Sequence, residues 1–117
     1  MKAILVRAPG QPPRRFEHAR ESLTIGRSAR NDLVIEDPSL SRGHARLELV
    51  GDGYILEDLG SLNGSFINGH AIQGRHPVRA GDRVQLGNVV LELDPGRPSG
   101  VVIEGKEQDL KGPSTLV

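Results

Sequence analysis

The chain contains no cysteine, which excludes disulfides, thiolate nucleophiles and cysteine-ligated zinc sites at once. Aromatic residues are scarce, at 3%. The core must therefore be built from Val, Leu, Ile and Ala, and few rings are available for stacking nucleotide bases. An excess of one charge is also lacking: Lys+Arg and Asp+Glu are both 15, for a formal net charge of +0. Bulk positive charge drives sequence-independent nucleic-acid binding, so that class of partner is disfavoured, although a local basic patch is compatible with neutrality. No apolar run approaches the roughly 20 residues of a membrane span. The apolar run within Met1–Arg7 ends at Pro9-Gly10, too short for the apolar region of a signal peptide. From these absences we expect a cytoplasmic protein without membrane insertion.

What is present is ordinary for a folded domain. At 117 residues, with 36% hydrophobic and 26% charged residues, the chain has the size of one domain and too many apolar residues for global disorder. Its 15 glycines and 8 prolines recur at short intervals, which disfavours long helices. No segment carries a 3.6-residue apolar period. Short strand-like runs follow one another instead, at Lys2–Arg7, Arg14–His18, Leu23–Ile25, Leu33–Ile35, Ala45–Val50, Tyr54–Glu57, Phe66–Ile67, Arg83–Leu86 and Val89–Leu93. In several of them apolar and polar residues alternate, the signature of a half-buried strand. Turn chemistry separates them: Gly51-Asp52-Gly53, Asn63-Gly64, Asn68-Gly69, Gly81-Asp82 and Gly87-Asn88. Both Asn-Gly pairs suit the two positive φ angles of a type I′ hairpin turn. Many short strands with closely spaced turns imply an antiparallel sandwich or barrel.

Three loops concentrate polar residues beside glycine: Gly26-Arg27-Ser28, Ser39-Leu40-Ser41-Arg42-Gly43-His44 and Gly60-Ser61-Leu62-Asn63-Gly64-Ser65. In a sandwich the loops gather at its two ends, where residues distant in sequence can share one surface. Taken in order with Gly81-Asp82-Arg83-Val84-Gln85-Leu86-Gly87, these segments resemble the forkhead-associated (FHA) domain. The resemblance runs over residues 1–94. It implies an all-β sandwich of about 11 mostly antiparallel strands with its binding loops at one end. It also implies a non-catalytic module that binds phosphothreonine peptides in signalling.

The residue types suit that task. A phosphothreonine carries about −1.5 to −2 charges and three acceptor oxygens. Holding it calls for a fixed cation, short hydroxyl donors and backbone N–H groups. By the resemblance Arg27 and Ser41 contact phosphate and Asn63 holds the peptide backbone; Arg42, next to Ser41, is read as either a second cation near the phosphate or a surface charge. An amide both donates and accepts, and a guanidinium offers a planar fork of donors. Gly26 and Gly64 are expected to allow tight backbone turns, and His44 to bridge two loops from inside. Asn68 is expected to be structural first, with a peripheral peptide contact as its second role.

Two positions depart from the family pattern. Leu62 stands where Thr or Ser is usual, and a lost hydrogen bond to a charged group costs roughly 1.5–3 kcal/mol. Ser61 is not assumed to replace it. Ser65 stands where Thr is usual, a change that preserves the hydroxyl. Leu62 favours the alternative reading, a structural FHA-like scaffold or assembly module without phospho-dependent binding.

No enzyme is expected: Ser41 and His44 lack the Gly-x-Ser-x-Gly elbow of a hydrolase nucleophile. His18, His70 and His76 are read as surface histidines without metal-site spacing, and no cofactor or metal is expected. The expected partner is a phosphothreonine-containing protein, the substrate of a Ser/Thr kinase, and not a nucleic acid. Residues 95–117 read as a linker and flexible tail, in which 101–103 is a candidate for either an extra edge strand or a short apolar stretch lying on the surface. Thr115 in that tail is a candidate phosphorylation site whose docking would give self-association.

Overall fold

The computed structural model describes residues 2–51 and 53–93. The expected linker and tail, the candidate edge strand at 101–103 and Thr115 therefore lie outside the described residues. Eleven strands are seen among those described: β1 (Lys2–Arg7), β2 (Arg14–His18), β3 (Ser22–Gly26), β4 (Leu33–Val34), β5 (Ala45–Val50), β6 (Gly53–Asp58), β7 (Ser65–Ile67), β8 (His70–Ala71), β9 (Arg75–Val78), β10 (Arg83–Leu86) and β11 (Val89–Leu93). They form a six-stranded sheet in the order β2-β1-β11-β10-β7-β8 and a five-stranded sheet in the order β4-β3-β5-β6-β9. All pairings are antiparallel except β3 with β4. No described helix is long and apolar enough to cross a membrane.

Alternation in the sequence becomes two faces in the fold. In β3, Leu23 and Ile25 are buried; in β5, Ala45 and Leu47; in β10, Val84 and Leu86; in β11, Val89, Leu91 and Leu93. With Ile4 and Val6 of β1 and Leu56 of β6 they form a single cluster drawn from both sheets. Each Leu, Ile or Val withdrawn from water there contributes about 1.5–3 kcal/mol before entropy is counted. Tyr54 is the one buried aromatic of the cluster, at 3% exposure, in keeping with the aliphatic composition. The outward face of the five-stranded sheet is charged. Arg46 lies opposite Glu57 and Glu57 opposite Arg75, and the Arg75 guanidinium also reaches the Glu48 carboxylate at 2.7 Å.

The structure departs from the sequence reading in three places. β8 and β9 fall where no strand was read. His18 is buried rather than superficial: its ring stacks on Phe16 at 6.1 Å, with Nδ1 3.1 Å from the Arg20 carbonyl. Of the two Asn-Gly pairs, only Asn68-Gly69 has φ positive at both residues, 51° and 84°, and it joins β7 to β8 as a two-residue hairpin loop. At Asn63-Gly64 only Gly64 has positive φ, 89°. The strands flanking that loop, β6 and β7, lie in different sheets, so no hairpin is closed there.

Candidate functional site

Two of the three loops meet through their backbones. The Arg27 N–H donates to the Ser41 carbonyl (3.0 Å) and the Ser28 N–H to the Arg42 carbonyl (3.2 Å). This side-by-side approach requires glycine at position 26. A Cβ there would overlap the Arg42 carbonyl oxygen and lie 2.8 Å from Asn31 Nδ2. Gly26 is thus explained by close approach of a neighbouring strand of backbone, and not by an unusual φ.

The third loop is attached through Ser41 and His44. His44 is fully buried, at 0% exposure. Its Nδ1 accepts from the Ser41 N–H (3.2 Å), and its Nε2 lies 2.8 Å from the Gly64 carbonyl. An N–H partner at one nitrogen and a carbonyl at the other place the proton on Nε2 of a neutral ring. The imidazole therefore bridges the two loops. The Ser41 N–H is consumed in this bridge. Ser41 Oγ accepts from the Leu62 N–H (3.0 Å), so its hydroxyl hydrogen remains available to donate outward.

Arg27 and Asn63 are each half committed. Arg27 Nε donates to the Leu40 carbonyl (3.1 Å), which fixes the plane of the guanidinium and leaves its two terminal nitrogens. Asn63 Nδ2 donates to the Ser39 carbonyl (2.8 Å), leaving Oδ1. Both side chains are exposed, as is Arg42. Among the described residues, no carboxylate lies within ion-pair distance of Arg27 or Arg42.

Several supporting residues were not singled out from the sequence. Asp58, at the end of β6, organises the third loop. Its Oδ2 accepts from the Gly60 (3.1 Å) and Ser61 (3.2 Å) N–H groups, and its Oδ1 from the Ser61 and Ser65 hydroxyls. Burial alone would raise its pKa, but these four hydrogen bonds together hold it below the usual carboxylate value. The Ser61 hydroxyl donates to Asp58 and accepts from the Gly64 N–H (3.1 Å). Both of its hydrogen-bonding roles are thus spent inside the loop. Ser65, fully buried, spends its hydroxyl on the same carboxylate.

Ser39 ties the second loop to the β10–β11 turn. Its Oγ donates to Asp37 and accepts from the Asn88 N–H (2.8 Å). The neighbouring Gly87 N–H donates to the Gly64 carbonyl (3.0 Å). Gly87 has φ +56°, and a Cβ there would lie 2.6 Å from the Ser39 carbonyl oxygen. Asn31 closes the first loop, its amide donating to the Ser28 (2.8 Å) and Arg42 (2.6 Å) carbonyls. The signal for these residues is only their type, short polar side chains within loops.

Arg27, Ser41, Arg42, Asn63, Gly26, His44 and Gly64 all belong to this three-loop cluster. Asn68 lies elsewhere, in the β7–β8 turn, where its side chain meets the segment that leads from β9 into β10. Its Oδ1 accepts from the Arg83 N–H (2.9 Å), and its Nδ2 donates to Asp82 (3.2 Å). Leu62 projects from the third loop with 88% of its surface exposed.

Comparison with known proteins bears on this arrangement. The model of the FHA domain family matches residues 23–87. The FHA domain-containing protein FhaB of Mycobacterium tuberculosis is 33% identical over 81 residues, 69% of this chain and 52% of that protein. The chain thus spans about half the length of the curated relatives it matches. The crystal structure of the FHA domain of CT664 from Chlamydia trachomatis superposes with a TM-score of 0.71 at 27% identity, covering 79% of this chain and 94% of that one. Mycobacterium tuberculosis EmbR, solved in complex with a low-affinity phosphopeptide, shares the fold with a TM-score of 0.71 at 21% identity, over 85% of this chain and 26% of its own.

Proposed function

The chain belongs to the FHA domain family, and from that premise we propose that it is a non-catalytic reader of phosphothreonine in partner proteins. The observation that carries this reading is the state of the donors at the loop end. Arg27 keeps its terminal guanidinium nitrogens, and Ser41 keeps its hydroxyl hydrogen, on loops whose other hydrogen-bonding groups are largely spent on one another. A dianionic phosphate accepts from such donors with little reorganisation of the loops. In this assignment Arg27 and Ser41 bind the phosphate and Arg42 adds charge beside it. Asn63, braced on Ser39, aligns the peptide backbone with its amide. Gly26, His44 and Gly64 hold the loops in place.

The partner class that fits is a protein phosphorylated on threonine by a Ser/Thr kinase, met in the cytoplasm. We assign residues 1–94 to the binding domain and 95–117 to its linker and tail. The family match, at residues 23–87, falls within the first of these segments.

A second reading, a scaffold module without phospho-dependence, draws on Leu62. Its exposed isobutyl group occupies the place of a hydroxyl in the recognition loop. Calorimetric titration separates the two readings. A phosphothreonine peptide pool, its unphosphorylated twin and its phosphoserine twin are run against wild type and Arg27→Ala. Phosphothreonine-selective binding, weakened by roughly 1.5–3 kcal/mol in Arg27→Ala, is expected. Folded wild type that ignores phosphate across a broad pool would overturn the reader and leave the scaffold.

A further inference from the structure

Next to the proposed phosphate contacts, Ser28, Arg30, Asn31, Arg42 and Gly43 line an open cleft of about 460 Å³. Its floor is fixed by the Asn31 amide, which grips the Ser28 and Arg42 carbonyls. The Arg30 N–H donates to Ser28 Oγ (3.2 Å), which leaves the Ser28 hydroxyl hydrogen to point elsewhere. Arg30 and Arg42 are exposed, and neither has a carboxylate within ion-pair distance among the described residues. Elsewhere on the molecule Arg7, Arg15, Arg20, Arg46 and Arg75 are each paired with Asp or Glu. The lining thus holds two uncompensated guanidinium groups and no acidic side chain.

We propose that this cleft is a second anion subsite, which takes a carboxylate or a further phosphate carried by the same peptide close to its phosphothreonine. The inference rests on the reading of the chain as a phosphothreonine reader. Its geometry follows from the paired backbones: Arg27–Ser28 runs beside Ser41–Arg42, so the cleft begins one residue beyond the phosphate contacts. Successive Cα atoms are about 3.8 Å apart, and an extended peptide presents same-face side chains about 7 Å apart. An acidic or phosphorylated residue one or two positions from the phosphothreonine therefore reaches Arg30. Arg42 stands between the two anions and contributes to both.

The test uses Arg30, which belongs to the cleft alone. Arg30→Ala keeps the backbone N–H that bonds Ser28, so the loop is retained. Wild type and Arg30→Ala are titrated with three peptides: phosphothreonine with neutral flanks, the same peptide with flanking glutamates, and the same with a second phosphorylated residue. Wild type is expected to gain about fivefold in affinity from a flanking glutamate, the upper range of an exposed ion pair, and more from a second phosphate. The two gains distinguish the carboxylate source from the phosphate source. Arg30→Ala is expected to lose most of both gains, keeping only what Arg42 supplies, while binding the neutral-flank peptide as wild type does. If wild type binds the neutral-flank peptide without gaining from either anion, or if Arg30→Ala keeps the gains, the subsite is overturned and the reader stands. If wild type binds none of the three, the reader falls and the subsite with it.

Discussion

Asp58 accepts four hydrogen bonds from one short loop, so its charge state and the loop's shape are linked. Its folded pKa lies below the reference value of 3.8. The stability it contributes is therefore fully present above that reference value and is lost as pH falls through the lower folded one. Asp58→Asn should flatten the acid limb of a stability profile followed by denaturant titration between pH 2 and pH 6. At neutral pH the same change costs roughly 1–3 kcal/mol, because charged acceptors are exchanged for a neutral amide. An acid limb identical to that of wild type would show that the loop does not depend on this carboxylate. The proposed contact residues Arg27, Ser41 and Asn63 could be nominated from the sequence, because their types and order resemble those of a recognition loop. Asp58, Ser39 and Asn31 could not. Their partners are backbone groups and short side chains of neighbouring loop residues, which leave no pattern in the sequence, and in the case of Ser39 and Asn88 the two residues are 49 positions apart.

At the scale of strands and turns, legibility follows burial. β3, β5, β10 and β11 are flanked by strands on both sides and bury one face, so apolar and polar residues alternate along them. β8 and β9 are the edges of their sheets. Both residues of β8 are exposed, and β9 buries only Val78 after Arg75-His76-Pro77. Proline is tolerated at an edge, and edge strands carry no apolar alternation to detect. The β7–β8 turn offers a direct test. Asn68 combines a φ of 51° with side-chain bonds to Arg83 and Asp82. Asn68→Gly should lose the side-chain bonds but adopt the backbone freely. Asn68→Ala should lose both advantages, at about 1–2 kcal/mol in total, with glycine the milder change. Chemical denaturation of the two variants ranks them, and alanine at least as stable as glycine would remove the positive φ from the account.

Across the whole molecule, neutrality hides a division of labour. On the strands Arg7, Arg15, Arg46 and Arg75 are each paired with Glu, whereas Arg27, Arg30 and Arg42 at the loop end have no acidic partner among the described residues. Zero net charge thus coexists with a local field that draws anions to one end. That end is also where the two sheets are joined. The Ser39 loop leads into the five-stranded sheet, and the Gly87-Asn88 turn it grips belongs to the six-stranded one. A ligand that spans Ser41 and Asn63 would therefore act as a rivet across a seam. Its arrival should be felt by groups it never touches. The Asn88 amide hydrogen, bonded to Ser39 Oγ, should exchange with heavy water more slowly once a phosphopeptide is bound, in proportion to the binding free energy if that bond opens only when the seam does. Unchanged exchange at Asn88 would mean that the loops close over their ligand while the two sheets go on breathing independently.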